Sequence, residues 1–196
     1  MPRRSPALVL SASVVLGIAV LLSGCRAPEP APSSSAPAPG DTPSASPEAS
    51  PSATPTPSAT PVDVACDALI PAQAMYDFNP NFSLIDGWSP DAGSAAADAV
   101  AAEGVACRWQ NNTSSDVIDL SVAQLDSASL EAKANEAYAS STMVPTYGDE
   151  AYFAVAGGVG EAIVFAGAYW VVIRSPYFQE PGDASPLVEA VLAALP

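Results

Sequence analysis

One tract that cannot build a core decides what the rest of this chain can fold into. Of the 37 residues from 26 to 62, 31 are Pro, Ala, Ser or Thr, and 11 are Pro. Proline fixes φ and removes a backbone donor. The small residues around it offer too little apolar surface to offset the entropy of ordering, so the tract is expected to be disordered. Its proline spacing favours extended polyproline II stretches, with a reach of up to ~115 Å at ~3.1 Å per residue. The fold must therefore come from residues 63–196, which suffice for one domain with one core.

The segment ahead of the tract reads as an export signal. Arg3 and Arg4 precede 16 mostly apolar residues, Ala7 to Leu22, and the run closes on Leu22-Ser23-Gly24-Cys25. A basic start, an apolar stretch and small residues before a cleavage point are the marks of a secretory signal. The apolar run is shorter than the roughly 20 residues that span a bilayer as a helix. A small-small-Cys ending has the form of a lipobox and has no use in an uncleaved anchor. Residues 1–24 are thus expected to be removed. Cys25 would carry two acyl chains as the first mature residue, and residues 25–62 would tether the domain to the outer face of the cell membrane.

Export also bears on the remaining cysteines, Cys66 and Cys107, which allow one pairing. In an oxidising compartment a bridge between them persists. The competing readings are two buried thiols or a metal site, and the chain has no histidine to help hold a metal. The absence of histidine also removes the commonest general base, and with it Ser-His-Asp and Cys-His catalysis. No metal and no cofactor is expected.

Charge is lopsided. Acids and bases before residue 63 cancel, so the net −15 falls wholly on the domain, where Arg108, Lys133 and Arg174 are the only cations. Such a surface repels nucleic-acid phosphates and anionic head groups. It reads as a solubilising exterior or as a surface for cations and basic partners.

Apolar periodicity predicts short helices at 67–69 and 71–76, a loop over 77–91, and an alanine-rich helix over 94–103 ended by Gly104. Strands follow at 105–110 and 118–122, on which Val105, Cys107 and Trp109, then Ile118, Leu120 and Val122, share a face. A helix capped by Asp126 or Ser127 carries Leu130, Ala134, Ala137 and Tyr138 as its buried stripe. Three strands at 152–156, 162–166 and 169–174 follow, the first two joined by Gly157-Gly158 at hairpin spacing. Ser185-Pro186 suits the start of a last helix. The order argues an α+β fold, an antiparallel sheet of about five strands sandwiched with helices.

Candidate functional residues are few. Asp149 and Glu150 are adjacent, and alternation in a strand would send them to opposite faces, which spoils a carboxylate pair. Glu161 is a distant third carboxylate. Phe82 and Trp88 lie in the 77–91 loop, where aromatics serve either as buried anchors or as an exposed binding site. They are the candidate ligand or partner residues, and no catalytic residue is assigned.

Several short motifs recur together: the lipobox, the Pro/Ser/Thr/Ala tether, Cys66-Asp67-Ala68-Leu69-Ile70-Pro71, Cys107-Arg108-Trp109, and Tyr147-Gly148-Asp149-Glu150-Ala151-Tyr152. In these the chain resembles small actinobacterial cell-envelope lipoproteins whose C-terminal domain has no assigned function. The resemblance implies an envelope lipoprotein with a disulfide and carries over no catalytic residue. The expectation is a non-enzymatic binding or sensor-like domain facing the cell wall. It would be held to the bilayer through Cys25 and would engage an unknown envelope protein or small ligand, not nucleic acid. An enzyme built on carboxylates or a tyrosine, or an envelope-assembly factor, are the alternatives.

Overall fold

The structure is a computed structural model that describes residues 59–196. The signal segment, Cys25 and all but the last few residues of the tether lie outside the described residues.

Seven strands form one antiparallel sheet: β1 (Phe82–Leu84), β2 (Val105–Asn111), β3 (Val117–Gln124), β4 (Thr142–Met143), β5 (Glu150–Ala156), β6 (Val159–Ala166) and β7 (Tyr169–Ser175). Their spatial order is β1-β2-β3-β7-β6-β5-β4, so the meander β4–β7 returns to pair its last strand with β3. Among the described residues five helices pack on the sheet: α1 (Cys66–Leu69), α2 (Ala72–Phe78), α3 (Ala95–Ala101), α4 (Ser127–Ser140) and α5 (Pro181–Ala194). The α+β class stands, with seven strands in place of about five. The two extra strands have three and two residues and sit at the edges, too short to show an alternation of period two.

Each face of the sheet has its own core. Cys107, Trp109, Ile118, Leu120, Val122, Val164, Val171 and Ile173 meet Leu69, Ile70, Met75, Leu187, Val188 and Val191 of α1, α2 and α5. The opposite face buries Ala123, Tyr152, Phe165, Trp170 and Val172 with Ala99 of α3 and Ala137 of α4. Strand β7 lies at the centre and is buried on both sides. That is why Tyr169-Trp170-Val171-Val172-Ile173 reads as an unbroken apolar run and not as an alternation.

Cys66 and Cys107 are joined by a disulfide. It ties the first residue of α1 to the middle of β2, on the face covered by α1, α2 and α5. The last described residues of the tether contact the domain. Thr60 pairs with Gln124 at the end of β3, and the Val62 amide donates to the Glu103 carbonyl at 3.0 Å.

Helix ends follow capping chemistry. Ser94 caps α3 by accepting from the Ala97 amide at 3.1 Å, and Asp126 caps α4 by accepting from Ala128 and Ser129. The C-terminus of α3 closes differently from the expectation. The Gly104 amide donates to Ala99 and the Glu103 amide to Val100, a complete Schellman pair. The left-handed position in it is Glu103, at φ 56°. Gly104 is needed for another reason: a Cβ there would stand 2.2 Å from the Val122 carbonyl oxygen. Gly157 and Gly158, at φ 60° and 81°, make the β5–β6 turn as expected.

Three further expectations are corrected. Helix α5 starts at Pro181, because Asp183 at its third position accepts the Glu180 amide at 3.0 Å and completes a cap one turn before Ser185. Pro186 therefore falls inside the helix. Tyr138 is 69% exposed. It follows Ala137 by about 100° of helix rotation and so leaves the stripe. Within the 77–91 segment, Asp77 and Phe78 end α2, and 82–84 form edge strand β1.

Candidate functional site

On the face covered by α3 and α4, the two helices pack over different strands and leave a gap that the Lys133–Asp98 ion pair spans. Helix α3 packs over β2 and β3, and α4 over β5 and β6. The central strand β7 is left beneath the gap. A cleft of about 250 Å³ opens there, floored by Ile163, Trp170 and Val172 and walled by Asp98 of α3 and Lys133 and Glu136 of α4.

Sheet register supplies the charges. Arg108 pairs with Asp119 across β2 and β3, Asp119 with Arg174 across β3 and β7, and Arg174 with Glu161 across β7 and β6. The result is a row of alternating sign, +−+−, running across four neighbouring strands on one face. Facing unlike charges are favourable at such positions.

The row is unevenly paired. Arg108 grips Asp119 with both prongs, Nε to Oδ1 at 2.6 Å and Nη2 to Oδ2 at 2.8 Å. The Trp88 ring lies over this guanidinium, 4.1 Å from ring centroid to Cζ. The hydrogen bond to Asp119 raises the Arg108 pKa further, against the effect of burial. Both Asp119 oxygens are thereby engaged by Arg108. Arg174 is left with Glu161, whose carboxylate oxygen stands 4.0 Å from its Nε. That distance is beyond a hydrogen bond. The Arg174 side chain is 44% exposed. Burial raises the Glu161 pKa above the usual carboxylate range, with Arg174 pulling it down and Glu136 pushing it up.

Lys133 reaches across the cleft from α4 to α3. Its Nζ stands 2.7 Å from Asp98 and 3.6 Å from Glu136, and 4.6 Å above the Trp170 ring. All three cations of the domain thus lie in this cleft or on its border.

The residues singled out in the sequence are dispersed. Phe82 is 7% exposed and packs edge-on against Tyr177 and tilted against Phe78. Its place in β1 turns it toward the core, at the edge of a depression lined by Ile70, Met75, Leu84 and Trp109. Trp88 reaches the border of the cleft, with one ring face taken by Arg108. Asp149 and Glu150 line the same depression, more open than the cleft and larger at about 420 Å³, on the other flank of α4, because Asp149 precedes β5 and strand alternation does not govern it. Asp149 accepts the Gly167 amide at 2.9 Å and so fastens the β6–β7 turn. Glu150 accepts a hydrogen bond from the Tyr152 hydroxyl, which with burial holds the Tyr152 pKa up at about 12. A phenol held protonated in this way is poorly suited to act as a base near neutral pH. Glu161 does not join this pair, since α4 lies between them.

Arg108, Lys133, Arg174 and Trp170 are the site residues that sequence reasoning missed. The signal was present: a domain with three cations, two of them on strands at polar positions of the alternation. Among the described residues no group of three or more Cys, Asp or Glu is placed to hold a metal ion, and no helix is long and apolar enough to cross a membrane. Comparison with family models, with curated proteins and with solved structures gave no match.

Proposed function

We propose that this chain is a lipid-anchored, extracytoplasmic binding protein of the cell envelope. Cys25 carries the acyl chains, residues 26–62 hold the domain clear of the membrane, and the α3/α4 cleft takes a small ligand. The observation that carries the binding reading is the cleft itself. A domain of net charge −15 places two of its three cations, Lys133 and Arg174, in the cleft and the third, Arg108, on its border, and Arg174 there lacks a close partner. Convergent polar groups over an apolar floor are what a ligand site needs. The acidic exterior argues against nucleic acid as the partner.

Glu161 favours a second reading, a carboxylate-dependent envelope enzyme. A carboxyl with a raised pKa in a cleft suits a general acid. The two readings part on substitution. In a deletion strain scored for an envelope phenotype, the binding reading expects Arg174→Gln to fail to rescue while Glu161→Gln retains part of the function. Full loss in a folded Glu161→Gln protein, with Arg174→Gln rescuing, puts the enzyme ahead. The anchor is tested separately by fractionation. Cys25→Ser protein should appear as an unprocessed precursor or in the medium, and a membrane-bound protein of mature size would refute acylation at Cys25.

A further inference from the structure

The unequal pairing of the charge row narrows the ligand's chemistry, on the premise that the α3/α4 cleft is the binding site. Asp119 turns both oxygens to Arg108 and makes no hydrogen bond with Arg174. Lys133 is answered by Asp98 and Glu136. Arg174 and Glu161 remain side by side at 4.0 Å, a guanidinium fork that donates no side-chain hydrogen bond to any described residue and a carboxylate that accepts none.

A plain anion would satisfy Arg174 but would enter against a net charge of −15 and against Glu161 directly. A plain cation would satisfy Glu161 and leave Arg174 unanswered. A molecule with a carboxylate and an ammonium a few ångströms apart answers both, and its own charges cancel in the acidic field. The cleft, at about 250 Å³, falls below the ~300–1,000 Å³ of drug-sized pockets. Its floor of Ile163 and Val172 suits a short hydrocarbon chain. We infer that the cleft binds a small zwitterion of amino-acid size, its carboxylate forked by Arg174, its ammonium on Glu161 and its side chain on the floor of β6 and β7.

Three probes separate the parts of this claim. Leucine carries both charges, 4-methylpentanoate the same skeleton with the carboxylate alone, and 3-methylbutylamine nearly the same skeleton with the ammonium alone. Each is titrated into the full chain with its bridge formed, following the indole N–H signals of Trp170 and Trp88 by NMR. Leucine should shift the Trp170 signal saturably and bind at least about tenfold more tightly than either half, since a hydrogen bond to a charged group contributes about 1.5–3 kcal/mol. Arg174→Gln should reduce leucine to the level of the amine, and Glu161→Gln to that of the carboxylate. Arg174→Lys, which keeps the charge and loses the fork, should weaken leucine but not the amine. Asp149→Asn, outside the cleft, should change nothing.

Leucine binding no tighter than one of its halves, or unchanged by Arg174→Gln in a protein with native dispersion of its signals, overturns the zwitterion. Absence of binding by all three overturns it as well. If one half alone saturates the Trp170 shift, the cleft remains the site and the ligand class is wrong. If leucine binds while both indole signals stay still, the cleft is not the site.

Discussion

Reduction of the Cys66–Cys107 bridge should remove a large part of the domain's stability. The bridge closes a 41-residue loop that contains α2, β1 and α3. Chain entropy assigns such a loop about 4 kcal/mol at 25 °C, and native disulfides of small secreted domains typically deliver about 2–5 kcal/mol. Cys107 is buried in the α1/α2/α5 core, so reduction leaves two thiols in place and opens no cavity. With a urea m-value of about 2 kcal/mol per molar, a loss of about 3 kcal/mol lowers the midpoint by roughly 1.5 M. The slope should also rise, because the open chain exposes more surface when unfolded. The assay is urea unfolding of exported Cys25→Ser protein, with and without reductant, followed by tryptophan fluorescence. A midpoint shift below about 0.5 M, with the bridge verified by non-reducing peptide mapping, would refute the argument that the loop constrains the unfolded chain.

Other substitutions test other parts of the account. Glu103→Gly should stabilise the domain by about 0.5–1 kcal/mol, read as a Tm higher by about 2–4 °C, because a left-handed position costs a side-chain-bearing residue roughly 1–2 kcal/mol and glycine gives back part of this as unfolded-state entropy; a lower Tm would contradict the closure described for α3. Gly160→Ala should cost about 1–3 kcal/mol or more, since its Cβ would stand 2.0 Å from the Phe178 carbonyl oxygen, and a Tm near the parent's would contradict that approach of β6 to the α5 segment. Glu161→Gln should be more stable than the parent at neutral pH, and the gap should close as pH falls. The raised folded pKa of Glu161 means that the native state holds the proton more tightly, so the parent loses stability as pH rises from the usual carboxylate range through that raised value; a variant less stable at neutral pH would show that Arg174 outweighs burial.

The fold was legible where side chains repeat on one element. The alternation of Val105, Cys107 and Trp109 against Ile118, Leu120 and Val122 placed two strands and the face they share. The glycine pair at 157–158 placed a hairpin. Local signals misled where two competed, as with Pro181 and Pro186, which both suit a helix start until Asp183 is seen to close the earlier cap. Two-residue β4 was invisible because its hydrogen bonds with β5, and not its sequence, make it a strand. The cleft was illegible for a deeper reason. Arg108, Asp119, Arg174 and Glu161 come from four strands scattered along the chain, and only the register of the finished sheet puts them in a row. Trp88 and Phe82 look alike in the sequence, as aromatics in a polar segment. Pairing of Phe82 with Asn111 on β2 turns one ring into the core, while Arg108 draws the other onto the opposite face.

Native mass spectrometry of the protein extracted gently from its own envelope tests the central claim most directly, because it asks whether the cleft is occupied without presuming by what. The parent protein should carry a small-molecule adduct that is lost in Arg174→Gln and kept in Asp149→Asn. An adduct of the same mass and occupancy on the folded Arg174→Gln protein would contradict the assignment of the α3/α4 cleft as the binding site.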